Sequence, residues 1–224
     1  MNRTALILRS SAALVAAFAV SAPMALIAPL SAQTPAQAPA QASAPSADLD
    51  RALAALRGIS TMQAAFTQTD RNGSRVSGTL TLKRPGRIRF QYQPGVPMLI
   101  VSDGAAMTFI DYEAKQVQRW PIKNSPLGAL LDPARDVKKY GRLISSGPAG
   151  IAIEVRDKSH PEYGVMTFRF QPKASAPGGL ELNSWTSLDS QKKQTSIQLS
   201  SQRYGVAVSD AMFKYNDPRR PARR

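Results

Sequence analysis

Cysteine is absent from the 224 residues, and histidine occurs once, at His160. The first absence excludes a disulfide framework and thiolate chemistry. Together they leave a metal site only carboxylates and one imidazole, so neither structural zinc nor any cofactor is expected. His160 lies in DKSHPEYG, between charged and turn residues, which suits a surface loop. No glycine-rich phosphate loop occurs, and Ser102 in VSDG lacks the G-x-S-x-G surround of a nucleophile elbow. Asp103 and Asp111 offer a carboxylate pair, but Asp103-Gly104 reads better as a hairpin turn. With no catalytic constellation, an enzyme is the weaker class. Acidic side chains are scarce too: 15 stand against 29 Lys and Arg, a formal charge of +14.

The N-terminus is built like an export signal. Arg3 and Arg9 precede Ser10–Leu30, a stretch without charge, and Ser31-Ala32 supply small residues before Gln33. A membrane anchor is the competing reading, weakened by Pro23 and Pro29 inside the run. Cleavage after residue 32 is therefore expected. A lipid-anchored export product needs a cysteine at its cleavage site, so the mature chain should be soluble and unanchored. Loss of two arginines and no acid leaves 27 basic against 15 acidic residues, a net +12. Such a field favours anionic partners such as membrane surfaces.

Residues 33–47, QTPAQAPAQASAPSA, are uncharged and have no apolar set able to pack, and read as a disordered spacer. The folded domain is expected over 48–215, with 216–224 a basic tail. Asp48–Arg57 forms an amphipathic helix, since Leu49, Leu53 and Leu56 share one face and Gly58 can end it. Met62, Ala64, Phe66 and Gln68 alternate through a strand, and Met98–Val101, Ala106–Tyr112 and Gln116–Ile122 continue a meander. Ser125–Leu131 breaks that rhythm as a short helix, and a second helical turn is expected around Pro133–Tyr140. Strands follow at Ile151–Arg156, Val165–Gln171, Leu180–Leu188, Thr195–Tyr204 and Met212–Tyr215. Many short strands with few helices imply an antiparallel sheet that curls.

The centre of this pattern is Gly78–Tyr92, GTLTLKRPGRIRFQY, two arms folded across Pro85-Gly86. Period two places Leu80, Leu82, Ile88, Phe90 and Tyr92 on one face, and Lys83, Arg87 and Arg89 on the other. Gly86 is suited to the positive φ of a type II turn. Arg84 falls on the apolar side beside the turn, where its guanidinium must find carbonyl or carboxylate partners. Basic and aromatic side chains point to opposite faces, so the ribbon is not a stacking platform, and no nucleic-acid partner is expected.

The order helix, MQAAFTQTD, GTLTLKRPGRIRFQY, LIVSDGAAMTFID, SPLGALL resembles the LolA family of periplasmic outer-membrane lipoprotein carriers. The similarity runs from Asp48 to Tyr215. It implies a mainly β fold, an unclosed antiparallel β-barrel whose concave apolar face is covered by a short-helix lid. In that family the arginine of the R-P motif, here Arg84, latches the lid. Leu53, Leu56, Leu127, Leu130 and Leu131 would form the lid's underside. Phe66, Leu80, Leu82, Ile88, Phe90, Met107, Phe109, Phe168 and Trp185 would line the wall that receives acyl chains. Ile88 departs from relatives that carry an aromatic there. The resemblance further implies a monomeric chaperone without covalent chemistry and with acylated lipoproteins as cargo. Its donor would be an ATP-driven inner-membrane transporter and its acceptor an outer-membrane receptor. A carrier of another envelope lipid and an acyl-ester hydrolase are the alternatives.

Overall fold

The computed structural model describes residues 45–122, 128–131 and 137–219. Eleven antiparallel strands form one sheet, in the order β6-β5-β4-β3-β2-β1-β11-β10-β9-β8-β7. The first half is β1 (Thr61–Thr69), β2 (Arg75–Lys83), β3 (Arg87–Tyr92), β4 (Met98–Asp103), β5 (Ala106–Asp111) and β6 (Gln116–Pro121). The second half is β7 (Gly141–Gly147), β8 (Gly150–Arg156), β9 (Val165–Pro172), β10 (Leu180–Leu188) and β11 (Gln194–Tyr204). Each half is a meander, and β1 pairs with β11 to join them. Strands β6 and β7 do not pair with each other, so the sheet stays open.

The sheet nevertheless curls. Strands β3 and β10 stand four places apart, which on a flat sheet would be roughly 19 Å. Yet the rings of Phe90 and Trp185 meet edge to face at 6.2 Å. Phe66 contacts both Phe90 and Tyr92 in the same geometry at 5.3 Å. Gly78 makes room for this cluster, because a Cβ there would stand 2.8 Å from the Phe66 ring.

Three helices lie on the apolar face: α1 (Pro45–Gly58), α2 (Gly128–Leu131) and α3 (Val137–Tyr140). Asp48 in the first turn of α1 and Arg57 in its last complement the helix dipole. Ala52, Leu53, Ala55 and Leu56 form its buried stripe. The link from β6 to β7 also crosses this face, since Ile122, Leu130, Leu131 and Val137 belong to the same core as Phe66 and Phe168.

Four local expectations change. Helix α1 starts three residues earlier than Asp48, within the stretch read as spacer. Strand β7 was not anticipated; among its residues only Leu143 packs on the core, so an edge strand left no alternation to read. Met212–Tyr215 is not a strand. A single 3₁₀ turn occupies Asp210–Phe213, with Ser209 Oγ accepting from Ala211 N. Strands β2 to β5 already have partners on both sides, so this segment can only lie across their face. Finally, the ribbon turn is the three-residue loop Arg84-Pro85-Gly86 with a cis Arg84–Pro85 bond, rather than a type II turn. The leader at 1–32, most of the spacer and the last five residues lie outside the described residues.

Candidate functional site

The parity reading of the ribbon holds. Leu80, Leu82 and Ile88 are fully buried, and Phe90 and Tyr92 nearly so. They join Phe66, Met107, Phe168 and Trp185 from the sheet, and Leu53, Leu56, Leu130 and Leu131 from the helices, in one apolar cluster. Phe109 shares the inward parity through its pairing with Ile100, but remains half-buried outside that cluster. Leu127 lies outside the described residues. In this conformation helices and wall bury each other's apolar surface, and the ring contact between Phe90 and Trp185 fills the space between strands β3 and β10.

The Arg84-Pro85-Gly86 loop is where the helices are tied down. Arg84 Nη2 donates to the Leu56 carbonyl at 2.7 Å, and Nε donates to Ile59 O at 2.8 Å. The Arg84 backbone N–H donates to Ser60 O at 2.8 Å. These oxygens belong to the end of α1 and the residues after it, where carbonyls lose their helical partners and the dipole is negative. The guanidinium therefore has the carbonyl acceptors its position demands. Gly86 N donates to Leu131 O, the last residue of α2, at 3.0 Å. One three-residue loop thus holds both helices.

Gly86 sits at φ +71°, and a Cβ there would stand 2.6 Å from Gly104 O. No side chain fits without moving the β4–β5 turn. Ser102, set aside as a nucleophile, is buried and donates from Oγ to Gly86 O at 2.7 Å, while Gly104 N donates to Ser102 Oγ. Its role is to brace the loop, which the V-S-D-G phrase carried without revealing. Asp103 closes its turn by accepting from Ala105 N and Ala106 N. His160 is exposed and pairs with Glu162. Among the described residues no group of His, Asp and Glu could hold a metal ion.

Ionisation at the apolar face favours neutrality. Burial pushes the Tyr92 phenol up to about 12, against the opposing pull of its hydrogen bond to Gln68 Oε1. Tyr204, opposite Met62, is pushed up to about 12 by burial and then by the charge of Glu181. Its hydroxyl is buried without a hydrogen-bond partner among the described residues.

The outer face of the ribbon is covered as well, which charge counting alone did not indicate. Lys83 Nζ donates to Val208 O at 2.9 Å and to Asp210 Oδ1 at 2.6 Å, and Arg87 lies 3.7 Å from the same carboxylate. Arg89 Nη1 donates to Met212 O and Lys214 O, both at 3.0 Å. Phe213 packs on Leu99, Val101 and Ile110 in a second, smaller core. The basic stripe is thus largely engaged within the molecule.

The family model for "Outer membrane lipoprotein carrier protein LolA" matches residues 57–216. An outer-membrane lipoprotein carrier protein from Dechloromonas aromatica is 30% identical over 172 residues, 73% of this chain and 80% of its own length. One from Xanthomonas campestris is 26% identical over 178 residues, covering 71% of this chain and 79% of that one. One from Legionella pneumophila is 40% identical over 77 residues, 33% of this chain and 37% of that one.

Proposed function

This chain belongs to the LolA family, and from that premise we propose that it is a periplasmic carrier of acylated lipoproteins. It would receive its cargo from an ATP-driven transporter of the inner membrane and pass it to a receptor at the outer membrane. The observation that carries this reading is the Arg84 junction, where hydrogen bonds to Leu56 O and Ile59 O hold the end of a helix that shares its apolar core with the sheet.

The physical demand on such a carrier is large. Burying a ~16-carbon acyl chain is worth on the order of 10 kcal/mol. The carrier must offer comparable apolar surface when loaded and hide it when empty. Here that surface is what Leu53, Leu56, Leu130 and Leu131 bury against Phe66, Leu80, Leu82, Ile88, Phe90, Met107, Phe168 and Trp185. Leu127 and Phe109 are assigned to the lid and the rim of the wall. An acyl chain would replace the helices on the wall, and release of the Arg84 bonds is the step that lets them go. No covalent chemistry is required of the chain.

Mass spectrometry of ligands copurifying with the exported protein tests this reading. Acylated polypeptides are expected. Free lipid as the sole ligand would replace it with a carrier of another envelope lipid. Turnover of acyl esters that one substitution abolishes would replace it with a hydrolase.

A further inference from the structure

The outer face of β1, β10 and β11 carries a trough of about 550 Å³ that the acyl-carrying face does not use. Its floor is made of small hydroxyl side chains, among them Thr67, Thr69, Thr186 and Ser196. Arg75 on β2 and Arg169 on β9 line it as well. Register sets them on opposite flanks. Arg75 pairs with Thr69, which pairs with Ser196, whereas Arg169 pairs with Ser184, which pairs with Gln198. Trp185 and Ile197 contribute to the lining but are buried, so the trough presents no exposed apolar anchor.

These two arginines differ from the cations that are engaged elsewhere on the outer face. Lys83, Arg87 and Arg89 hold the C-terminal segment, and Lys173 pairs with Glu181. The guanidinium groups of Arg75 and Arg169 make no hydrogen bond or ion pair among the described residues. Nearby carboxylates do not pair with them. Asp70, in the β1–β2 turn, accepts from Asn72 N and Ser74 N. Asp189, in the β10–β11 turn, accepts from Gln191 N and Lys193 N. Both carboxylates are engaged in closing their turns. The same turns add the exposed side chains of Arg71, Lys192 and Lys193, whose charged ends likewise make no hydrogen bond or ion pair among the described residues.

We propose that the trough binds the phosphate of an anionic phospholipid headgroup and so docks this end of the sheet on a membrane surface. A phosphodiester accepts the bidentate bonds of guanidinium and the donors of a hydroxyl floor. The lysines and arginine of the adjoining turns would lie along the bilayer, where each adds attraction within a Debye length. An acidic protein partner fits less well, since protein interfaces centre on buried aromatic or aliphatic anchors and the trough offers none. The site is separate from the apolar wall, so its test does not depend on lipoprotein cargo.

The test is flotation of the full chain with vesicles of phosphatidylcholine alone, and of one part phosphatidylglycerol to two parts phosphatidylcholine. Binding is expected only to the anionic vesicles and should weaken with salt. The double variant Arg75→Ala/Arg169→Ala, checked for native circular dichroism, should bind about thirtyfold more weakly. Arg75→Lys/Arg169→Lys should retain part of the affinity. Equal binding to both vesicle types would point to acyl capture by the apolar wall and overturn the proposal. Undiminished binding by the Ala variant would overturn it too. So would binding of inorganic phosphate without vesicles, or of polyglutamate without vesicles, which would assign the trough to a free anion or to a protein.

Discussion

The β2–β3 ribbon is covered on both faces, and the two covers are held in opposite ways. On the inner face Leu80, Leu82, Ile88 and Phe90 share one apolar core with the helices, and the Arg84 guanidinium supplies hydrogen bonds to carbonyls of Leu56 and Ile59 at the end of α1. On the outer face the C-terminal segment is gripped by Lys83, Arg87 and Arg89, with Phe213 inserted into its own small core. The inner cover is therefore mostly greasy, with polar ties at the Arg84 loop, from Ser146 Oγ to Asp48 and between Lys138 and Asp50; the outer is tied at several polar points along its length. Apolar contact is non-directional and tolerates replacement by another apolar partner such as an acyl chain. A set of directed bonds to named carbonyls does not. On the proposed carrier role, exchange would belong to the inner face and permanence to the outer.

The strongest way to break this contrast is Phe213→Ala. Phe213 is buried, and truncating it should cost about 3 kcal/mol, at the lower end for a core aromatic because its cluster is small. Chemical unfolding should show that loss, while binding of an apolar probe dye below the transition stays at the wild-type level. A rise in dye binding would mean the outer cover also controls the inner face. Arg84→Leu comes next. It removes two charge-assisted bonds and leaves two carbonyls wanting, about 2 to 3 kcal/mol against closure. Here dye binding should rise and lipoprotein transfer change. Arg84→Lys, with a single point donor, should fall between. Unchanged dye binding and transfer together would remove Arg84 from the latch role.

Both covers differ in how far the sequence discloses them. The inner one is readable, because period two in β2 and β3 separates Leu80, Leu82, Ile88 and Phe90 from their basic neighbours. Arg84 is conspicuous as the polar residue on the apolar side, and its need for carbonyls follows from desolvation alone. Which carbonyls is not readable without the β1–β2 register, which sets Thr61 opposite Lys83 and so brings Arg84 beside the end of α1. The outer cover is almost invisible. Met212–Tyr215 has the alternation of a strand, and only knowing that β2 to β5 are paired on both sides shows that it cannot be one. Lys83, Arg87 and Arg89 look like a free basic face until the segment from Val208 to Lys214 is laid over them. Strand β7 escapes for a related reason: an edge strand with one apolar contact carries little period.

The inner face should also fail first at alkaline pH. Tyr92 ionises near 10 when unfolded and only at about 12 when folded, because burial disfavours the phenolate. The neutral phenol's contribution is complete below pH 10 and lost as pH rises towards 12, about 2 to 3 kcal/mol over that window. Tyr204 shifts in the same direction. Unfolding midpoints measured from pH 8 to 12, which should fall in step with tyrosinate absorbance, check this. In Tyr92→Phe the decline should become shallower without vanishing, since Tyr204 remains. An unaltered slope in that variant would mean that Tyr92 does not resist ionisation.

The smallest effect is reserved for Asp210, the carboxylate that Lys83 and Arg87 hold in the outer cover. The hydrogen bond from Lys83 holds its carboxyl below the ordinary range, burial opposes that slightly, and the charges of Arg87 and Lys83 assist. A depressed carboxyl contributes stability above its ordinary pKa and loses it as pH falls through the folded value. Asp210 is exposed, so this contribution is screened by salt. Asp210→Asn should therefore lower the melting temperature slightly at neutral pH and low salt. The gap to wild type should close in acid, and close equally in concentrated salt at neutral pH. Apolar dye binding should stay flat throughout, because the carbonyl bonds of Lys83 and Arg89 to Val208, Met212 and Lys214 do not titrate with it. A gap that persists in concentrated salt would show that Asp210 holds the segment by geometry rather than by charge, and the outer cover would then be a single built joint instead of several independent ties.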